Sequence, residues 1–367
     1  MTLLHGLVFL LGLAIVVRTL VSALRTFVLA RGARDRLTGW LFGVLRVLFN
    51  LLLRTAKSYE RRDQIMAFYA PVALLLLLPY WLILTAIGFG MMYWATSVDT
   101  LWATSFTLSG SSLLTLGFAR DSLLIHDLLA FAEATIGLIL VALLIAYLPT
   151  MYAAFSRREL QVTLLEVRAG SPPSAVELIA RFHRLHRLET LHDLWETWES
   201  WFAEVEESHT SLAALVFWRS PQPDHSWITA SGAVLDAASL MRSVVDVPDD
   251  MQADLTIRAG FLALRRIADF FNIDYVRTPS FPANPISIAR AEFDTACAQL
   301  EDQGVPLRPD RDQAWQDFGG WRVNYDTVLL ALCHLTVAPY APWSSDRSLL
   351  PDAGRKGKKG KQGKPRP

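Results

Sequence analysis

Residues 99–119 read DTLWATSFTLSGSSLLTLGFA, and the fold turns on them. Asp99 to Leu108 suits a short helix, with Ser97 or Asp99 as its capping side chain. At about 1.5 Å per residue such a helix crosses only part of a bilayer. Ser109, Gly110, Ser111 and Ser112 follow, then Leu113-Leu114-Thr115-Leu116-Gly117-Phe118-Ala119. Gly117 suits a backbone with positive φ. On each side of this segment lies an apolar stretch long enough to cross a membrane, residues 65–95 and 123–148. A short helix and an irregular chain between two spans read as a re-entrant loop, which is tolerated at membrane depth only when it lines a cavity or packs inside protein.

Working outward, the first flanking stretch contains the wholly apolar run Val72–Pro79. Pro71 and Pro79 should kink it, and Tyr93 and Trp94 end it as an interfacial belt does. The second ends at Tyr147-Leu148-Pro149. Residues 3–29 form a third span. No Lys or Arg precedes its run Leu3–Val17 and no small-x-small site follows, so it reads as a retained helix rather than a cleaved signal. Residues 37–55 are apolar except for Arg46, Asn50 and Arg54, which share one helical face. That favours an amphipathic helix in the membrane interface, with a tightly packed span as the alternative. Basic clusters at 31–36, 54–62 and 157–158 then belong on the cytoplasmic side, with the N-terminus and the 96–122 loop outside.

Hydrophobic residues make up 52% of the chain and charged residues only 19%, and the apolar excess lies before residue 153. The zero net charge hides three regions: +4 for 1–156, −11 for 157–354 and +7 for 355–367. The chain is therefore read as 1–64, an N-terminal membrane helix and interfacial helix; 65–156, the helix–loop–helix unit; 157–350, a helical cytoplasmic domain; and 351–367, a disordered basic tail able to touch anionic lipid. In the third region Ser171-Pro172-Pro173 reads as a helix start. Leu188, Leu191, Trp195, Trp198, Phe202 and Val205 form one helical stripe, and further helices are expected over 226–245, 251–272, 286–303 and 324–337. Cys297 and Cys333 read as buried free thiols. His183, His186 and His192 lack the Cys or carboxylate spacing of a metal site. Asp224-His225-Ser226 has triad residue types, but adjacent residues cannot adopt triad geometry and no GxSxG motif is present. Nothing points to an enzyme or a cofactor, and the acidic domain argues against nucleic acid.

A short helix running into Thr115-Leu116-Gly117-Phe118 resembles the pore helix and selectivity filter of potassium channels, whose signature is Thr-Val-Gly-Tyr-Gly with Thr-Leu-Gly-Phe among its variants. The runs Tyr147-Leu148-Pro149, Phe155-Ser156-Arg157-Arg158-Glu159 and Arg168-Ala169-Gly170-Ser171-Pro172-Pro173 resemble a bacterial family of potassium-channel proteins. So do Glu207-Ser208-His209, Arg219-Ser220 and Ser226-Trp227. In that family a helical domain follows the pore. The resemblance implies an all-α membrane protein of the bacterial inner membrane, a homotetramer surrounded by lipid that passes a monovalent cation, potassium, with no other cofactor. Residues Thr115, Leu116, Gly117, Phe118 and Ala119 would form the filter, whose backbone carbonyls replace the ion's water.

Two positions depart from the pattern. Ala119 stands where the signature has Gly, at a cost of about 1–2 kcal/mol if positive φ is needed there. Arg120 intervenes before the acidic Asp121, and four copies would oppose cation access unless Asp121 pairs with them. Ser111, Ser112 and Glu133 are expected to brace the filter, with Glu133 bonded to Ser111, Ser112 or Thr107. Gly137 suits either a gating hinge or close helix packing. The alternative function is a non-conducting membrane scaffold that binds partners through residues 157–350, whose ligand the sequence leaves unnamed. A membrane-anchored enzyme is a third, weaker reading.

Overall fold

The computed structural model describes residues 3–29, 35–97 and 101–347. Arg31, Arg34, Asp99 and the basic tail, all used above, lie outside the described residues. Among the described residues the chain is helical, with no strand and one isolated bridge between Val245 and Leu307. It divides into two compact units, Met1–Ser156 with Ser211–Trp218, and Arg157–Thr210 with Arg219–Pro367. The break falls at 156/157, and Ser211–Trp218 groups with the first unit rather than with the residues around it.

In the first unit, α1 (Leu3–Phe27), α2 (Arg36–Leu53), α3 (Tyr59–Ala67) and α4 (Tyr69–Thr96) are followed by α5 (Trp102–Leu113) and the start of α6 (Leu124–Ala169). Among the described residues, four segments are long and apolar enough to cross a membrane: α1, α2, α3 with α4, and α6. The stretch expected at 65–95 starts earlier and breaks at Phe68. Pro71 explains the break, since it cannot donate to the Ala67 carbonyl one turn back. Pro79 and Pro149 are both carried inside helices, and α6 runs on past the end expected at Tyr147-Leu148-Pro149 to Ala169.

α1 and α4 run antiparallel in close contact. His5 stacks on Trp94 at 5.0 Å, and Trp81 Nε1 donates to Ser22 Oγ at 3.2 Å. Between them Gly12 faces Gly88: a Cβ on Gly12 would stand 2.5 Å from the Gly88 carbonyl oxygen, and one on Gly88 would stand 2.7 Å from that of Gly12. Two helices approach this closely only where side chains are missing. α2 starts at the buried Asp35, which accepts from Thr38 N–H at 2.9 Å, Ser22 Oγ at 2.5 Å and Arg18 Nη1 at 2.8 Å. From there α2 follows the other half of α4, with Trp40 on Tyr80 and Phe49 edge-on to Tyr69. α1 and α2 thus succeed one another along α4 rather than lying side by side at one level.

The second unit comprises the end of α6, then α7 (Ala175–Arg184), α8 (Leu191–Ser211), α9 (Trp227–Ser243), α10 (Met251–Phe270), α11 (Arg290–Asp302), α12 (Arg311–Arg322) and α13 (Asp326–Thr336). α9 is its axis. All its residues except Arg242 are buried, and α7, α10, α12 and α13 pack around it. The α8 stripe is buried from Leu191 through Trp195, Trp198 and Phe202 to Val205, while Leu188 lies in a separate 3-10 turn. The helix after Ser171-Pro172-Pro173 is capped by Ser174, not Ser171: its hydroxyl accepts from Glu177 N–H at 3.4 Å. Both cysteines are buried free thiols.

Candidate functional site

The segment between α4 and α6 begins differently from expectation. Ser97 ends α4, donating its hydroxyl to Tyr93 O at 2.9 Å, and α5 starts at Trp102 without a side-chain cap. α5 also runs five residues beyond Leu108, to Leu113, which absorbs the serine cluster. At its start Trp102 stacks on Trp94 of α4 at 4.6 Å, and Phe106 stacks on Trp102. The close approach to α4 is again at a glycine, since a Cβ on Gly90 would stand 2.9 Å from the Phe106 ring.

Beyond Leu113 the chain leaves the helix through residues in the left-handed region, Thr115 at φ 55° and Gly117 at φ 71°. Ala119 is not among the positive-φ residues, so the strain anticipated there does not arise. The turn is organised by buried Ser111. Its carbonyl accepts from Leu116 N–H at 2.8 Å and Gly117 N–H at 3.3 Å, and its hydroxyl accepts from Ala119 N–H at 3.0 Å. Thr115 Oγ1 donates to the Leu114 carbonyl. The carbonyls of Thr115, Leu116, Gly117 and Phe118 accept no hydrogen bond among the described residues. Leu116 and Phe118 are 60% and 69% exposed in the single chain.

Behind this turn, Glu133 of α6 is completely buried. Its partner is Ser109 Oγ, at 2.5 Å, rather than Ser111, Ser112 or Thr107 as expected. The helix explains the change: Thr107 donates to its own turn, at Ala103 O, and Ser111 is engaged with Ala119. Glu133 Oε2 and the neighbouring Tyr93 hydroxyl are both buried without hydrogen-bond geometry to any described residue. Ser112 lines, with Tyr93, Ser111, Thr115 and His126, a cavity of about 190 Å³ behind the turn. Gly137 lies against the end of α5, where a Cβ would stand 2.5 Å from the Leu113 carbonyl oxygen. This fits the close-packing reading of Gly137.

Asp121 does not pair with Arg120. It accepts from Ser122 N–H at 2.6 Å and meets His126 Nδ1 at 2.6 Å, while Thr96 Oγ1 lies 2.9 Å from His126 Nε2. The Ser122 N–H and the His126 ring hold the Asp121 carboxyl below its ordinary range. Arg120 is exposed and makes no ion pair among the described residues. Ser109, Tyr93 and His126 are the members of this site that sequence reading missed. His126 is a polar residue in the first turn of an apolar helix, five residues after Asp121, and that was the available signal. Elsewhere, His192 meets Asp250 and Glu196 in exposed ion pairs, and no group of three His, Cys, Asp or Glu among the described residues is placed to hold a metal. Comparison with family models, curated proteins and solved structures finds no match to this chain.

Proposed function

We propose that the chain is the subunit of a homotetrameric cation channel that passes potassium through a ring of backbone carbonyls. The observation that carries this reading is the run of four carbonyls, Thr115 to Phe118, without hydrogen bonds among the described residues, in irregular backbone held by Ser111 between two long apolar helices. A dehydrated cation needs such oxygens in place of water, and one chain supplies a quarter of a closed ring. The exposed Leu116 and Phe118 fit the same reading, because apolar side chains of this size in one chain find cover against neighbouring subunits. Basic clusters at 54–62 and 157–158, read as cytoplasmic, support an arrangement with the N-terminus and the 96–122 loop outside.

The test is ion flux from proteoliposomes of the purified chain, with native mass in detergent. A tetramer that releases potassium supports the channel. Flux equal to empty liposomes at every voltage and pH tried, or a stable dimer, overturns it. A non-conducting scaffold is the second reading, and Arg120 favours it. A guanidinium beside the carbonyls with no ion pair among the described residues, repeated four times, repels cations. Arg120→Gln separates the two: a conducting pore should pass cations faster, and a scaffold should remain silent.

A further inference from the structure

The second unit contains a cavity of about 330 Å³, within the size range of small-ligand sites. Its wall carries three carboxylates, Asp236, Glu292 and Asp346, and no basic side chain among the described residues. Trp343, with Ala233 and Ala296, supplies aromatic and apolar surface. The acids are held from behind. Arg347 bonds both Glu292 and Asp346, and the fully buried Arg322 bonds Asp236 at 2.5 Å and Asp326 at 2.7 Å. Four carboxylates therefore share two guanidiniums, which leaves two negative charges in excess.

Asp236 is the informative member. It is 1% exposed, and both of its hydrogen bonds, from Arg322 Nη1 and the Tyr325 hydroxyl at 2.9 Å, fall on Oδ1. Oδ2 has no partner among the described residues and is the oxygen left to face the cavity that Asp236 lines. A cationic donor in the cavity would give this oxygen a charge-assisted hydrogen bond, about twice as strong as a neutral one. A metal ion fits poorly, since no three carboxylates, histidines or thiols among the described residues converge closely enough. An organic cation fits better: its charged head can donate to Asp236 and its body can lie on Trp343, where an indole also attracts positive charge.

We propose that this cavity binds a small organic cation, an alkylammonium or alkylguanidinium compound, with its charged group against Asp236. The site stands independently of whether the loop at 114–119 conducts. The experiment is calorimetric titration of the full-length protein in detergent with 1,4-diaminobutane, and with 1,4-butanediol as its neutral counterpart. The diamine should bind saturably and at least tenfold more tightly than the diol. Gln299 is exposed on the rim, so Gln299→Lys should weaken diamine binding at least tenfold with an unchanged melting temperature, and Gln299→Glu should not weaken it. Asp236→Asn should also abolish binding, and the rim variants keep the test decisive if that variant fails to fold. Equal affinity for diol and diamine overturns the proposal. So does diamine binding that survives Gln299→Lys, which would lie elsewhere on the molecule, or a melting shift given by magnesium or calcium and not by diamine.

Discussion

Gly117 holds φ 71° with open space around the position where a Cβ would stand. The penalty for Gly117→Ala is therefore conformational alone, about 1–2 kcal/mol, and it acts where the carbonyls are aimed. If those carbonyls form the ion path, Gly117→Ala should remove most potassium flux while native mass still reports the assembled protein. Unchanged flux would mean that ions do not pass there. Ser109 and Glu133 give a second test. Ser109→Ala leaves the buried Glu133 with neither oxygen hydrogen-bonded among the described residues, which costs about 1–3 kcal/mol. Glu133→Gln keeps the acceptor and adds a donor that can reach Tyr93. Ser109→Ala should accordingly lower the melting temperature in detergent by several degrees, and Glu133→Gln by less. The reverse order would show that the 2.5 Å contact contributes little.

At the scale of elements, the glycines at 12 and 88 act as a pair, and each Cβ would enter the other helix's backbone. Gly88→Leu should separate α1 from α4 and cost about 1–3 kcal/mol or more, because backbone cannot yield as a side-chain end can. A cysteine pair at positions 5 and 94, which cross-links while His5 and Trp94 remain neighbours, should stop cross-linking in that variant. If it still cross-links, the contact is not what joins these helices. The helices were legible wherever apolar periodicity set them, as in α1, α4, α6 and the α8 stripe, because burial reads the same residues that the pattern counts. α12 was not legible: its sequence RDQAWQDFGGWR is polar and carries two glycines, and only the Asp310 cap announces it. Gly319 is there for packing, since a Cβ would strike the Phe281 ring from a distant loop. In the candidate site, Thr115 to Phe118 and Glu133 were legible from residue type. Their partners were not, because the position of α5 decides which serine faces α6, and α5 ends five residues beyond the expected Leu108.

For the molecule as a whole, the second unit carries an acid sensitivity that can be separated from the rest of the chain. His209 is fully buried against Trp227, with Arg158 Nη1 3.2 Å from its Nε2 and Ser208 Oγ 3.1 Å from its Nδ1. A guanidinium can only donate, so Nε2 must accept and the imidazole is neutral. Burial, and then the Arg158 charge, hold His209 well below the ordinary histidine range. The sign follows directly. In the unfolded chain His209 takes up a proton near pH 6.5, whereas in the folded chain it does not. The stability tied to the neutral ring is fully present above about pH 6.5. It falls as pH drops below that value, by about 1.4 kcal/mol per pH unit for one proton, until the folded pKa is reached. His209→Gln places an amide oxygen within reach of Arg158 and has no proton to gain. Thermal unfolding followed by tryptophan fluorescence between pH 7 and pH 5 should therefore show a shallower loss in the variant than in the natural chain. The difference should correspond to one proton, since every other titrating group is common to both. Parallel pH profiles would place His209 outside the groups that set acid stability, and would require the ring to be protonated in the folded chain despite the guanidinium beside it.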